Sequence, residues 1–293
     1  MNCFCGKKAI ISGYCKDHFI EYVENKVKQT IENFNLFTKK DRIVVATSGG
    51  KDSLTVLYIL NKLGYNVEGL LIDEGISNYR EHTISDLRKF SEQYNIKFRI
   101  ISFKEEFNYT LDEIVTKIKD TLPCTFCGIF RRYLLNKYSK QYDVLVTGHN
   151  LDDESQSVLM NLLKNQIPIL ARIGPVAGIK RMNFTKRVKP LYLLTEKEIK
   201  AYTILLNFPI TYSECPYAKY SYRNHVIDFI HKFSNSKAIK ENIINFHLER
   251  LSRLKEKYQD TELRFCKICN EPSTKEICNS CKLVIKIKGE MNE

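Results

Sequence analysis

Residues 48–53 read Ser48-Gly49-Gly50-Lys51-Asp52-Ser53 and lie between two segments with different apolar patterns. Residues 43–46 form an apolar, β-branched run that is typical of a buried strand, whereas the residues after the stretch repeat apolar side chains at helical spacing. Glycines let the backbone turn tightly and bring N–H groups close to an anion, and the positive N-terminus of the next helix adds to this attraction. The stretch therefore predicts an anion-binding loop between a strand and a helix.

Three side chains of this loop suit a phosphate group. Lys51 can neutralise its charge, and Ser48 and Ser53 can donate hydrogen bonds to it. The pattern is not a Walker A motif, because an acidic residue follows the lysine and no glycine lies at the required upstream spacing. It resembles the PP-loop of ATP pyrophosphatases, which cleave ATP between the α- and β-phosphates and adenylate a substrate. The resemblance implies that Ala46 and residues 48–53 bind ATP; the alternative is an ordinary glycine turn.

Strand and helix patterns alternate over the first half of the chain. Helical patterns separate four apolar runs of strand type, at residues 43–46, 67–72, 96–102 and 143–147. The alternation predicts an α/β fold with a doubly wound parallel sheet, in which right-handed crossovers place all the strand C-termini at one edge. Ligands bind at that edge, so the loops after the strands should meet at one site. Residues 164–224 show no clear repeat, and residues 225–260 look helical.

Two further loops at predicted strand ends carry acidic residues. Asp73 can face a ribose or a metal ion, or it can be an ordinary turn residue. The loop after the fourth strand reads Gly148-His149-Asn150-Leu151-Asp152-Asp153. Paired carboxylates there can hold Mg²⁺ on the phosphates, and Asp152 can also cap the following helix. The HNxDD pattern matches the same PP-loop proteins, so we expect Gly148, Asp152 and Asp153 to belong to the ATP site.

The ten cysteines fall into three groups. Cytosolic thiols stay reduced, so clustered cysteines indicate metal or redox chemistry rather than disulfides. Each terminal group supplies four ligands for a structural zinc ion: Cys3, Cys5, Cys15 and His18 near the start, and Cys266, Cys269, Cys278 and Cys281 near the end. The first group departs from the usual spacing, because one residue instead of two separates its first pair. Zinc here replaces a hydrophobic core that is too small to fold alone.

The middle group consists of a CxxC pair, Cys124 and Cys127, and the lone Cys215. Three thiolates can hold an iron–sulfur cluster with one iron left open, and an open iron can bind sulfide. The alternatives are a catalytic cysteine that carries a persulfide, or three buried structural cysteines. Arg131 and Arg132 follow the pair and can reach ATP phosphates or RNA, or they can form a solvated basic face.

The composition is that of a globular protein with a basic surface. Apolar residues make up 43% of the 293 residues and charged residues 27%, which is enough to bury a core. The 46 Lys and Arg outnumber the 34 Asp and Glu, giving a net charge of +12 that suits RNA, although a lysine-rich proteome would give the same excess. No apolar run has the length of a membrane span and no secretory signal is visible, so we expect a cytoplasmic protein without a membrane partner.

These motifs, in this order, resemble the TtuA/TtcA group of tRNA 2-thiolation proteins over essentially the whole chain. With a zinc knuckle at each end, the chain is similar to the TtuA branch, which includes the archaeal and eukaryotic wobble-uridine thiolases. The resemblance implies a PP-loop fold flanked by the two knuckles. Its parts are an N-terminal zinc knuckle at residues 1–24, a PP-loop ATP-binding catalytic domain at residues 25–224, and C-terminal helices with a zinc knuckle at residues 225–293.

The resemblance also implies a reaction. ATP binds the PP-loop with Mg²⁺ near Asp153 and Asp52, and the C2 oxygen of a tRNA uridine is adenylated. Sulfur then attacks C2 and AMP leaves, with a 4Fe-4S cluster on Cys124, Cys127 and Cys215 delivering the sulfur. The implied donor is a ubiquitin-like thiocarboxylate protein or free sulfide, and the implied assembly is a homodimer.

The target position and the reaction class have alternatives. The wobble uridine and a T-loop uridine are both candidates, and the high asparagine content favours the wobble position because hyperthermophile proteins limit asparagine. A cytidine thiolase or an amidotransferase-type synthetase would also use a PP-loop, but the synthetase needs none of the three middle cysteines. A non-catalytic zinc RNA-binding protein would leave the PP-loop idle.

Overall fold

A six-stranded sheet forms the centre of the computed structural model, which describes residues 2–178, 184–218, 222–233, 236–258 and 264–289. Its order is β3-β2-β1-β4-β6-β5. The strands are β1 (Ile43–Thr47), β2 (Val67–Asp73), β3 (Phe98–Ser102), β4 (Val144–Thr147), β5 (Val176–Ala177) and β6 (Lys186–Val188). All neighbours pair in parallel except β5 and β6, so the predicted doubly wound parallel sheet is confirmed and carries one antiparallel edge strand that the sequence patterns did not show.

Helices cover both faces of the sheet. They are α1 (Lys16–Asn33), α2 (Lys51–Lys62), α3 (Arg80–Tyr94), α4 (Phe103–Phe107), α5 (Leu111–Lys117), α6 (Pro123–Ser139), α7 (Leu151–Leu163), α8 (Ile167–Leu170), α9 (Glu196–Leu205), α10 (Arg223–Phe233), α11 (Lys237–Lys257) and α12 (Asn279–Lys288). Alternate residues of β1 enter opposite cores: Val45 packs with α1, α2 and α9, whereas Val44 packs with α5, α6 and α12. A small hairpin, β7 (Arg264–Phe265) with β8 (Pro272–Ser273), precedes α12.

Several element bounds differ from the sequence predictions. Helix α6 begins at Pro123 instead of residue 129, because proline is favoured in the first turn of a helix, and the CxxC pair therefore lies on that first turn. The helical region predicted at residues 225–260 is two helices, with residues 234 and 235 between them outside the described residues. Residues 164–224 hold α8, β5, β6 and α9, whose short lengths hide their periodicity.

Helix α1 ties the N-terminal knuckle to the sheet. It begins at Lys16, and its apolar face, including Phe19 and Val27, is fully buried in the core on that side. The proposed domain boundary at residue 24 falls within this continuous helix, and the division into three parts stays a prediction. No helix among the described residues is long and apolar enough to cross a bilayer.

Candidate functional site

The loop after β1 is closed by its own serines. The Ser53 hydroxyl donates to the Gly50 carbonyl at 2.9 Å, and the Ser48 backbone N–H donates to the Ser53 hydroxyl at 3.1 Å. Helix α2 then begins at Lys51, and no side chain caps its N-terminus. The first-turn N–H groups of α2 are therefore open to an anion at the sheet edge where the parallel strands end.

Two glycines allow this loop to lie close to its neighbours. Gly49 has φ +80°, and a Cβ there would lie 2.3 Å from the Thr83 carbonyl oxygen on α3. A Cβ on Gly148, after β4, would lie 2.9 Å from the Ser53 backbone nitrogen. The two strand-end loops thus pack against each other backbone to backbone, as the sequence predicted for loops at one edge.

Lys51 is held as a cation at the entrance of the loop. Its ammonium group forms ion pairs with Asp52 at 3.0 Å and with Glu196, at the start of α9, at 2.9 Å. Burial works against the charge, but these two carboxylates raise the pKa of Lys51 above its usual value. The charge is therefore present at any physiological pH.

A pair of carboxylates lies between the two loops. The Asn150 side chain donates to Asp52 Oδ1 at 2.9 Å and also caps α7 through a reciprocal capping box with Asp153. Arg223 donates to Asp153 at 2.8 Å. Burial raises the pKa of Asp153 to about 6, against the opposing charge of Arg223. Asp52 and Asp153 are thus joined through one amide, which is an arrangement of oxygen ligands that suits Mg²⁺.

Two other acidic residues are engaged elsewhere in the fold. Asp152 forms an ion pair with Lys240 of α11 and accepts a hydrogen bond from the Glu196 backbone at 2.9 Å. The cap of α7, which was one of two roles open to Asp152, is Asn150 instead. Asp73 accepts from the Gly75 backbone at 2.8 Å and so serves as a turn residue here.

His149, in the loop after β4, has several basic side chains near it. The ring accepts from or donates to the Thr147 hydroxyl at 2.9 Å. Burial lowers the pKa of His149 to about 3, and the charges of Lys189, Arg223 and Arg131 act in the same direction. The imidazole is therefore neutral, and the three cations are each paired with a carboxylate: Lys189 with Glu154, Arg223 with Asp153 and Arg131 with Glu74.

The three middle cysteines come to one region beside the loops. Cys124 Sγ lies 3.6 Å from the Tyr217 carbonyl oxygen, and Cys127 and Cys215 both pack at the margin of the core that α6 shares with β2. Burial raises the pKa of Cys127 to about 12, with Glu74 adding to the effect, and burial and Cys215 raise the pKa of Cys124. The Cys124 and Cys127 thiols are therefore protonated unless a metal displaces their protons.

The spacing of these cysteines differs from that of the terminal groups. Among the described residues, only the two terminal sets bring their ligand atoms all within 4.8 Å of one another. Sulfur atoms around one zinc ion cannot be further apart than about 4.6 Å, because each Zn–S bond is about 2.3 Å. Among the described residues, Cys124, Cys127 and Cys215 do not form a set as compact as this.

A buried ion pair that sequence reasoning missed connects the loop to the cysteines. Glu74 is 1% exposed and pairs with Arg80, which is 4% exposed and donates to the Ser48 carbonyl at 2.8 Å. Glu74 also pairs with Arg131 at 3.3 Å and lies 4.0 Å from Cys127 Sγ. The sequence could have indicated Glu74 as a site residue, because it directly follows β2, whereas no local pattern in the sequence distinguishes Arg80.

Both terminal sets have the geometry of metal knuckles. Cys3 Sγ lies 3.2 Å from His18 Nδ1, and Cys5 Sγ lies 3.8 Å from Cys15 Sγ, so the CxC spacing still closes the first set. In the second set the Cys278 backbone N–H donates to Cys266 Sγ at 3.2 Å. Each set can hold one metal ion.

The fold and the loop geometry define a PP-loop ATP-binding protein. The model of the PP-loop domain family matches residues 20–226. The chain belongs to this family and, within it, to the TtuA-type tRNA 2-thiolation proteins.

Relatives of known name cover nearly all of the chain. It is 37% identical to the tRNA-5-methyluridine(54) 2-sulfurtransferase of Pyrococcus horikoshii, over 100% of this chain and 96% of the relative. It is 34% identical to the cytoplasmic tRNA 2-thiolation protein 1 of Dictyostelium discoideum, over 92% of this chain and 77% of the relative. The solved structure of the U34-tRNA thiolase NcsA of Methanococcus maripaludis, with its 4Fe-4S cluster, superposes with a TM-score of 0.80 at 32% identity, covering 100% of this chain and 97% of that one.

Proposed function

We propose that this protein is an ATP-dependent tRNA uridine 2-sulfurtransferase. The observation that carries the proposal is the Glu74–Arg80 pair, which joins the ATP loop through Ser48 to the cysteine region through Cys127. Adenylation and sulfur delivery must act on the same base, so the ATP loop and the cysteine region must be held at a fixed position relative to each other. Family membership supports the same reaction.

The loop residues support the adenylation step. Lys51 and the open N-terminus of α2 would bind the phosphates of ATP, and Asp52 and Asp153 are the carboxylates that would hold Mg²⁺, which would neutralise charge on those phosphates. The uridine C2 oxygen attacks the α-phosphorus and pyrophosphate leaves, which converts that oxygen into a good leaving group. Asp152 and Asp73, which are engaged within the fold, hold the loops in place.

The cysteine region supports the sulfur step. When bound by Cys124, Cys127 and Cys215, a 4Fe-4S cluster supplies an iron that can hold sulfide. Arg131 lies between this region and the ATP loop, where its charge stabilises the anionic AMP that leaves. Glu74 and Cys127 keep Arg131 in its charged form, because Glu74 raises the pKa of Arg131 against the effect of burial.

The finer assignments are part of the proposal. The target is the wobble uridine, with a T-loop uridine as the alternative, since the relatives include proteins named for each position. The sulfur donor is a ubiquitin-like thiocarboxylate protein or sulfide, the assembly is a homodimer, the location is cytoplasmic, and each terminal set holds Zn²⁺.

The reaction can be tested directly. Protein with a reconstituted cluster is incubated anaerobically with unmodified tRNA, Mg-ATP and sulfide, and the digested nucleosides and RNase fragments are analysed by mass spectrometry. We expect 2-thiouridine in the anticodon fragment; in the T-loop fragment it would establish the alternative position. Thiolated cytidine, or no release of AMP in the presence of tRNA, would reject the proposal, whereas AMP release without a thiolated base would exclude sulfide as the donor.

Loss of the C-terminal metal should destabilise the core beside α6 as well as the knuckle itself. Helix α12 follows Cys278, and its Ile287 is buried in the core beside α6. We expect Cys281→Ser to lower zinc content from two ions per chain to one and to lower the melting temperature by roughly 10 °C or more. Cys5→Ser, the matched change in the other knuckle, should lower zinc content equally. Wild-type protein without zinc would contradict the assignment.

Binding of Mg-ATP should weaken in acid. Asp153 is protonated below a pKa of about 6, because burial favours its neutral form, and a proton then competes with Mg²⁺ for the carboxylate. We expect the affinity for a Mg²⁺-bound non-hydrolysable ATP analogue to fall about fivefold between pH 6 and pH 5, measured by calorimetry. The Asp153→Asn variant is the control, because any pH dependence that it retains comes from protonation of the nucleotide and not of Asp153. An identical pH profile in that variant would exclude Asp153 as a metal ligand.

A further inference from the structure

Arg223, the first residue of α10, contacts the side of the ATP site that α7 forms. Its Nη1 donates to Asp153 Oδ1 at 2.8 Å, and its Nη2 donates to the Ser157 hydroxyl at 3.3 Å. Asp153 and Ser157 are four residues apart on α7, so they lie on the same face of that helix. The guanidinium is therefore held beside the first turns of α7, at the sheet edge where the ATP loop lies.

The two carboxylates assigned to Mg²⁺ each hold one cation. Lys51 pairs with Asp52 at 3.0 Å, and Arg223 pairs with Asp153 at 2.8 Å. The Asn150 side chain connects the two pairs, because its amide donates to Asp52 and its oxygen accepts from the Asp153 backbone. A divalent ion on these carboxylates would repel both cations, whereas the phosphates that accompany it would attract both. Arg223 is thus placed to act as Lys51 does.

Arg223 is more open to solvent than the other cations that pair with acids of α7. Its side chain is 33% exposed, whereas those of Lys189, which pairs with Glu154, and Lys240, which pairs with Asp152, are each 9% exposed. Those two lysines are enclosed with their carboxylates and hold α7 against its neighbours. An anion from solvent can reach Arg223.

The partners of Arg223 favour ATP over RNA as the source of that anion. Its carboxylate is the one expected to face the nucleotide, and Asn150 joins that carboxylate to the ATP loop. A guanidinium also presents a planar fork of N–H donors that matches two phosphate oxygens. On the basis of the proposed function, we propose that Arg223 is a phosphate-binding residue for ATP, which exchanges Asp153 for oxygens of the triphosphate when Mg-ATP binds.

Nucleotide affinity tests this proposal separately from catalysis. The Kd of a Mg²⁺-bound non-hydrolysable ATP analogue is measured by calorimetry. We expect Arg223→Gln to weaken binding by at least about tenfold, because a charge-assisted hydrogen bond to phosphate is lost. Arg223→Lys should recover part of the affinity, since it keeps the charge without the fork. An arginine that only neutralises Asp153 predicts the opposite, because its removal would free that carboxylate for Mg²⁺ and leave binding unchanged or tighter.

A double-mutant cycle with Asp153→Asn separates a phosphate contact from an effect that acts through Asp153. We expect Arg223→Gln to weaken binding by at least about fivefold in the Asp153→Asn protein as well, because the phosphates remain as its partner. No further loss in that background would show that Arg223 acts only through Asp153, and it would overturn the inference.

The matched control is Lys232→Gln, which removes an exposed cation from the last turn of the same helix and should leave the Kd within about twofold. Thermal melting identifies the variants that fold; if Arg223→Gln does not, Arg223→Lys carries the test with an expected loss of about threefold.

The remaining outcomes separate the inference from the proposed function. Unchanged analogue binding in Arg223→Gln, with weaker binding in Lys51→Ala, would overturn the inference and leave the proposed function standing. Weaker tRNA binding with unchanged analogue binding would assign Arg223 to RNA and also overturn it. Wild-type protein that binds no ATP analogue would reject the proposed function, and the inference would fail with it.

Discussion

Lys51→Ala should lower ATP-dependent thiolation by about 100- to 1000-fold. Lys51 is the first residue of α2, and its ammonium group is held at the loop entrance by Asp52 and Glu196. Removing it leaves developing negative charge on the phosphates uncompensated and leaves those two carboxylates facing the nucleotide. Release of AMP and pyrophosphate should fall with thiouridine formation, whereas tRNA affinity should stay within about twofold, because Lys51 faces ATP.

Lys62→Ala is the matched control, since Lys62 is the last residue of the same helix and pairs with Glu24 at 2.7 Å. It should leave both AMP release and thiolation unchanged. If Lys51→Ala released AMP at the wild-type rate, the loop would not be the ATP site. A change confined to tRNA affinity would instead favour a non-catalytic RNA-binding protein.

Cys215→Ser should remove thiouridine formation, by at least about 100-fold, while pyrophosphate release continues. The ATP loop lies between β1 and α2, and Cys215 follows α9, so loss of the thiol leaves the phosphate-binding groups intact. Cys124→Ser and Cys127→Ser should behave in the same way, because the proposed cluster would be held by all three thiols. The Cys215→Ser variant thus loses thiouridine but keeps pyrophosphate release, whereas the Lys51→Ala variant loses both.

Ser213→Ala tests whether the effect belongs to the thiol, because Ser213 is exposed and lies two residues before Cys215. It should retain full activity. Wild-type thiouridine formation in all three cysteine variants would exclude these thiols from sulfur delivery, and pyrophosphate release without thiouridine in any protein, wild type included, would favour an amidotransferase-type synthetase, which has no use for these thiols.

Local signals made much of the fold predictable. The β-branched run of β1, the glycines after it and the helical repeat of α2 are contiguous, so residues 43–62 reveal a strand, a loop and a helix together. Strands β5 and β6 escaped prediction because they have two and three residues, too few to show a period of two. The start of α6 was placed late because its first turn contains two cysteines instead of an apolar repeat.

The sequence predicted those parts of the candidate site in which the spacing of cysteine and histidine residues indicates a metal-ligand set. Both terminal knuckles follow from ligand spacing, and the structure brings each set within 4.8 Å. The partners of Asp152 and Glu74 did not follow, because Lys240 and Arg80 meet them only through the packing of α11 and α3. Sequence could therefore name carboxylates at strand ends, but it could not tell which of them face the nucleotide and which are neutralised within the fold.

An isotope-transfer experiment tests the central claim that ATP activates the C2 oxygen of a tRNA uridine. Unmodified tRNA is prepared with ¹⁸O at uridine C2 and is incubated with wild-type protein, Mg-ATP and sulfide, and the released AMP is analysed by mass spectrometry. Adenylation of that oxygen followed by loss of AMP predicts one ¹⁸O in the AMP phosphate for each 2-thiouridine formed, with unlabelled pyrophosphate. Thiouridine accompanied by unlabelled AMP would contradict the account, since ATP would then activate some other group.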